Sequence, residues 1–282
     1  MGYTMTDEEK IHIWDRFDKI ACIHYLPYMN ERFSIIRLEL DRIGVLNSGK
    51  FFWEFTTPNP IYDYIKIPAS KNTHDKGITK ATKVYTLQYY SLLKKLQHFG
   101  YGHVLIFEDD VAFLKDLDRL ATIVKSAPED YDILNLDPFR RDGWLGAGKG
   151  YWGHYYDLNG NEVKRTWDGD LYLRYNSVVY QTSAMAFSKR GIDHILNRMD
   201  EVFAPMDRYT WEKTDGLNTY CTSGANNICV QNKSFHTKLT GDGYASTMEQ
   251  IYGKNFDLSK YNIAWQEPIE QPIEPIEQPK ED

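Results

Sequence analysis

The chain has 282 residues, of which 42% are hydrophobic and 26% charged; this is an ordinary globular composition, long enough to bury a large core, and its net charge of −7 argues against a nucleic-acid-binding surface. Its three cysteines lack both the close spacing of a metal knuckle and an even-numbered disulfide framework. No stretch approaches the ~20 apolar residues that span a bilayer, and MGYTMTDEEKIHIW has no signal-peptide core, so a cytoplasmic protein, at most peripheral to a membrane, is expected.

Thr6 and Glu9 in TDEEKIHIW form a capping-box pattern that predicts a short first helix. KIACIHYL (19–26) reads as a buried strand. In ERFSIIRLELDRIG, Phe33, Ile36, Leu40 and Ile43 share one helical face and Gly44 is a natural C-cap, so a strand and helix open an α/β unit. FFWEF reads as a strand and TTPNP as a turn. Through residues 79–99, Tyr85, Tyr89, Leu92, Leu96 and Phe99 recur at helical spacing, with Gly100 ending the element. HVLIFEDD is then a continuous apolar strand, as in a parallel sheet buried on both faces. AFLKDLDRLATIVKSAP is expected as a helix stopped by Pro128, and YDILNLD as the next strand.

Residues 139–176 are rich in Gly, Trp and Tyr and carry the hairpin signal Asn159-Gly160; they predict a loop and hairpin insertion forming a wall over the active face. SVVYQTSAMAF predicts a strand and SKRGIDHILNRM a helix capped by Ser188. Residues 200–265 read as irregular, with short strands such as NNICVQ. QEPIEQPIEPIEQPKED has no periodicity able to bury a face and reads as a disordered, polyproline-like tail. The expectation is an α/β fold, a mixed sheet flanked by helices, with one domain over 1–265 and a tail over 266–282.

Glu108, Asp109 and Asp110 fall at the carboxyl end of HVLIFEDD, where open α/β sheets bind ligands. Adjacent acids in an apolar setting repel one another and lose hydration, so they require a cation or hydrogen-bond donors. Hard oxygen ligands suit Mg2+ or Mn2+, which take their remaining oxygens from water and substrate phosphates. The plainer alternative is a strand-end turn with solvated acids. GAGKG lacks the spacing of a phosphate loop, and DLNGNE has Glu162 where a calcium loop needs Gly, so both read as turns.

HVLIFEDDVAFLKDLDRL followed by YDILNLD, with the first strand leading to NERF and with TSAMAFSKRGIDHIL and APMDRYTW following in order, resembles glycosyltransferase family 25. These are the lipooligosaccharide-type galactosyltransferases related to collagen galactosyltransferases, and the likeness covers residues 18–232 in patches. It implies a GT-A fold and transfer of a sugar, galactose from UDP-galactose by family, to a hydroxyl of a glycan or glycoconjugate with inversion. It further implies that Asp110 binds Mn2+ or Mg2+ directly, that Glu108 and Asp109 contact the metal's waters or the donor ribose, and that Arg32 lies near the nucleotide. His236 would complete the metal shell. Asp207 in APMDRYTW would accept the proton of the attacking hydroxyl, with a helix N-cap as its structural alternative and Asp215 in reserve. The chain departs from the family's Gly-Cys-x-x-Ser-His run, having Val84 and Tyr85 at the Ser and His positions. Two rival readings stand beside this one. A Mg2+-dependent hydrolase or phosphotransferase would use a second acidic strand end, for which Asp137 is the support; the other rival is a non-catalytic carbohydrate-binding protein of the same fold.

Overall fold

The computed structural model describes residues 5–25, 32–56, 80–140, 154–164, 167, 169–176, 179–201, 204–223, 226–231 and 258–262. Thr6 and Glu9 close a capping box, Thr6 Oγ1 accepting the Glu9 N–H and Glu9 Oε2 accepting the Thr6 N–H at 2.7 Å, and this starts α1 (Asp7–Ile11). β1 (Lys19–Tyr25) and α2 (Ser34–Arg42) follow as expected. Gly44 ends that unit at φ +78°, where a Cβ would lie 2.5 Å from Lys10 Cβ, so both conformation and space demand glycine. Then come β2 (Phe51–Thr56), α3 (Lys80–His98) and β3 (His103–Glu108).

The helix expected directly after the acids does not begin there. Asp109 and Asp110 form a two-residue turn into β4 (Val111–Phe113), and α4 spans only Leu117–Lys125, capped by Asp116 accepting the Arg119 N–H at 2.9 Å. All three β4 residues are buried, which favours a strand pairing over an amphipathic turn of helix. The chain continues through β5 (Ile133–Asn135), β6 (Phe139–Arg140), β7 (His154–Tyr156), β8 (Glu162–Val163) and β9 (Tyr172–Asn176). SVVYQTSAMAF is broken into β10 (Val179–Tyr180) and β11 (Ala184–Ser188), with Gln181 between them in the left-handed region at φ +71°. α5 (Lys189–Glu201) opens with Ser188 Oγ accepting the Gly191 N–H at 3.1 Å, followed by α6 (Met206–Tyr209), β12 (Thr219–Thr222) and β13 (Cys229–Gln231).

Nine strands form one mixed sheet in the order β2-β1-β3-β11-β5-β12-β9-β7-β8. β1, β2 and β3 are mutually parallel, β11 lies antiparallel between β3 and β5, β12 is parallel to β5, and β7, antiparallel to β9, runs the same way as β12, so six strands point to one edge. This is the α/β class, a mixed sheet flanked by helices, that the alternating pattern predicts. The Asn159-Gly160 hairpin closes β7 on β8 as predicted, with Gly160 at φ +86°. Its strands extend the far edge of the sheet through β9, where the sequence suggested a wall over the active face. β13 pairs with β4. β12, in the stretch expected to be irregular, is a fully buried sheet strand between β5 and β9.

Strand alternation divides the core. Leu105 and Phe107 of β3 pack with Trp14, Ile36, Leu40, Leu120 and Val124 on one face, while Val104 and Ile106 pack with Tyr89, Leu92, Leu96, Ile192 and Ile195 on the other. Trp14 is fully buried, and its indole N–H donates to Ile43 O at 2.8 Å, so its large apolar body is covered without stranding a donor. All three cysteines are buried and none forms a disulfide. Among the described residues no helix is long and apolar enough to cross a membrane.

Candidate active site

The parallel strands bring His24 of β1, Glu108 at the end of β3 and Asp137 after β5 to the same edge. Ile23 is in register with Glu108, while Ile106 and Asn135 both face Met185 of β11 between them. Because side chains alternate along β3, Glu108 projects toward α3 and Asp109 toward α2, leaving Asp110 in the turn. The three adjacent acids are thus met by different partners.

Asp109 is 8% exposed and lies between His24 and Arg32. His24 Nδ1 is 2.7 Å from its Oδ2, off the alignment of a hydrogen bond, and Arg32 Nη1 donates to its Oδ1 at 3.1 Å. His24 is fully buried and Arg32 nearly so. Glu108 is held on its other side by hydroxyls. Tyr85 Oη donates to Oε1 at 2.6 Å, Thr182 Oγ1 donates to the same oxygen at 2.7 Å, and the two hydroxyl oxygens are 2.9 Å apart. Burial first, and then the charge of Asp110, push Glu108 up to about 7, against the pull of the two hydroxyls. Burial and the Glu108 charge in turn push Tyr85 well above its ordinary value.

Asp110 is buried in the β3–β4 turn, and its charge is felt at Glu108 and at the Cys22 and Cys229 thiols. Asp137 contributes to the same field at Cys229, but its Oδ1 accepts from Asn227 Nδ2 at 2.9 Å and its backbone N–H donates to Asn135 Oδ1 at 3.0 Å. Among the described residues no group of three or more His, Cys, Asp or Glu side chains is arranged to hold a metal. One or two carboxylates fit Mg2+ or Mn2+, which leave most of their coordination to water and phosphate. Asp110 supplies such a donor. His236 lies outside the described residues.

Asp207 sits in the first turn of α6; the N-cap position belongs to Pro205, so the capping alternative for Asp207 does not hold. β11 runs away from the acidic edge and α5 returns toward it, which starts α6 there, packed against β10. Burial pushes Asp207 up to about 6, opposed by the amide and guanidinium of Arg208. Asp215, the reserve candidate, lies apart from the three acids. It is exposed in a turn beside Gly216, whose carbonyl accepts from Arg190, and the nearby Asn218 N–H donates to Asp132 Oδ2 at 2.9 Å. Asp132 precedes β5, so Asp215 lies at the opposite, amino edge, about 15 Å of strand from the acids. A groove of about 530 Å3 lined by His12, Asp15, Arg16, His103, Lys125 and Glu129 also lies at that amino edge.

His24, Tyr85 and Thr182 escape sequence reasoning. Tyr85 reads as one more apolar position on the α3 face, and nothing local shows that its hydroxyl meets Glu108, 23 residues on.

The fold and site together define a mixed α/β protein with three adjacent acids at the carboxyl edge of its sheet. No protein-family profile and no curated protein sequence matches the chain. Among solved structures it is similar to the crystal structure of mannose-1-phosphate geranyltransferase from Thermus thermophilus, at 12% identity over 74% of each chain with a TM-score of 0.34. A likeness that slight does not bear on activity.

Proposed function

We propose that the chain is a divalent-metal-dependent glycosyltransferase of the family 25 type, moving a sugar, galactose from UDP-galactose, to a hydroxyl of a glycan or glycoconjugate with inversion. The observation that carries this reading is the division of the three acids at the carboxyl edge. Asp109 is occupied by His24 and Arg32 and Glu108 by Tyr85 and Thr182, while Asp110 stands in the turn between two strands.

Mn2+ or Mg2+ held through Asp110 would supply Lewis-acid neutralisation of the charge that develops on a departing diphosphate. Arg32 carries a fixed positive charge next to Asp109 and orients that carboxylate at the nucleotide side of the site. The acceptor oxygen bonds to sugar C1 as the bond from C1 to the diphosphate oxygen breaks, and the diphosphate leaves with the electron pair. The proton of the acceptor hydroxyl passes to the Asp207 carboxylate, which burial has brought to about 6, close enough to neutrality to be ionised and still basic.

The hydrolase or phosphotransferase alternative gains Asp137 on the same edge, yet that carboxylate is fully buried and engaged by Asn227, which makes it a poor nucleophile. A thermal-shift panel of UDP, GDP and ADP with and without Mn2+ tests the reading. Stabilisation by UDP only in the presence of Mn2+, lost in Asp110→Ala, is the expected result. No response of the native chain to any nucleotide with Mn2+ overturns it.

A further inference from the structure

We infer that Tyr85 and Thr182 are positioning residues that lock Glu108 by a single oxygen, so that it serves the site as a one-oxygen acceptor through Oε2 and not as a chelating ligand; this rests on the transferase reading. Both hydroxyls converge on Oε1, at 2.6 and 2.7 Å, and they approach each other to 2.9 Å, forming a closed triangle of oxygens. Oε2 accepts no hydrogen bond among the described residues and is the oxygen left for a ligand's proton-bearing groups. A carboxylate must turn both oxygens to one cation to chelate it, and two hydroxyl donors on Oε1 oppose that rotation.

The clamp is built from three separate elements. Tyr85 comes from the first half of α3, where its ring packs edge-on against Tyr89 at 5.3 Å, and Tyr89 Oη donates to Thr182 O at 3.2 Å, which fixes the second arm's backbone. Gln181, immediately before Thr182, is held left-handed at φ +71°, and its carbonyl accepts from Asn135 Nδ2 at 2.8 Å. A non-glycine residue in that region costs on the order of 1 kcal/mol and persists only where surrounding contacts impose it. Here the kink separates β10 from β11 and turns the Thr182 hydroxyl onto Glu108.

The test uses the full chain. Mn2+ binding is titrated by electron paramagnetic resonance with and without UDP, alongside steady-state turnover of UDP-galactose. Tyr85→Phe and Thr182→Val each remove one arm, Thr182→Ser restores a hydroxyl, and circular dichroism monitors folding. The expected result is that Tyr85→Phe and Thr182→Val lower kcat at least tenfold with KM for the donor within about threefold. Both should also change Mn2+ affinity in the presence of UDP at least threefold, while Thr182→Ser stays within twofold of the native chain in both readouts. A folded Tyr85→Phe or Thr182→Val with native kcat and native Mn2+ affinity overturns the clamp and leaves the transferase reading standing. Absence of Mn2+-dependent UDP binding by the native chain overturns both. If Tyr85→Phe fails to fold, the Thr182→Val and Thr182→Ser pair decides alone, and equal behaviour of the two rejects the clamp.

Discussion

His24 and Asp109 face each other across the β1–β3 pair, Nδ1 lying 2.7 Å from Oδ2 with both side chains more than nine-tenths buried. The pair belongs to a buried polar cluster in which Arg32 Nη1, from the start of the α2 segment, forms an ion pair with Asp109 at 3.1 Å. Burying charges is costly unless they are matched, and removing one member of such a group is far more damaging than replacing all of it.

Asp109→Ala leaves two buried basic side chains facing a space that held a carboxylate. Its unfolding free energy should fall by about 3 kcal/mol, the usual cost of breaking a buried pair. Urea denaturation gives the value, and a loss below about 1 kcal/mol would show that His24 and Arg32 find adequate partners elsewhere.

Packing at the amino edge yields a second expectation. A Cβ at Gly191, in the first turn of α5, would lie 2.0 Å from the Asp132 backbone oxygen. That oxygen already accepts the Ser188 N–H at 3.0 Å, so neither backbone can retreat without loosening the junction of β5, β11 and α5. Gly191→Ala should therefore destabilise by about 2 kcal/mol or more although alanine favours helices, the overpacking penalty exceeding the propensity gain. A thermal midpoint at or above the native value would refute the contact.

The outline of this arrangement was legible in the sequence where local signals are strong. The capping box at Thr6 and Glu9, the left-handed Gly44 just after α2 and the apolar run of β3 are each decided by a few adjacent residues. β12 was hidden because TYCT is short and half polar, and its burial comes from β5 and β9, which lie far away in sequence. The helix expected from Ala112 starts later, at Leu117, for a related reason: Val111, Ala112 and Phe113 are apolar in either conformation, and β13, more than a hundred residues later, selects the strand. For the site, residue type and strand end located Glu108, Asp109 and Asp110 but not their division of labour. That division depends on which face each side chain meets, and so on His24, Tyr85 and Thr182.

The raised Glu108 carboxyl makes stability depend on pH in a definite direction. Its ordinary value of 4.5 applies to the unfolded chain, and burial brings the folded value to about 7. Between those values the folded state binds a proton that the unfolded state does not, so stability falls as pH rises from about 4.5 through 7 and levels off above. At roughly 1.4 kcal/mol per pH unit over this interval the contribution is about 3 to 3.5 kcal/mol. Glu108→Gln removes the titration but keeps the shape. Urea unfolding at pH 5 and pH 8 should show the native chain losing about 2 kcal/mol more than the variant over that interval. Parallel behaviour of the two proteins would mean that Glu108 is ionised throughout.

Asp207 separates binding from chemistry. It lies on α6, apart from the β3–β4 turn that carries Asp110, so its substitution should leave metal-assisted nucleotide binding intact. Asp207→Asn cannot accept the proton of an attacking hydroxyl, and loss of a general base costs about 10²- to 10⁴-fold in rate. The expected result is unchanged Mn2+-dependent stabilisation by UDP with kcat reduced by at least about 100-fold. The native pH profile adds an independent check. With Asp207 brought to about 6, kcat should drop tenfold per unit as pH falls below 6, because the base becomes protonated. That acidic limb should vanish from the residual activity of Asp207→Asn. Turnover at the native rate in the variant would move proton acceptance to another group, and a persistent limb near pH 6 would assign the titration to one.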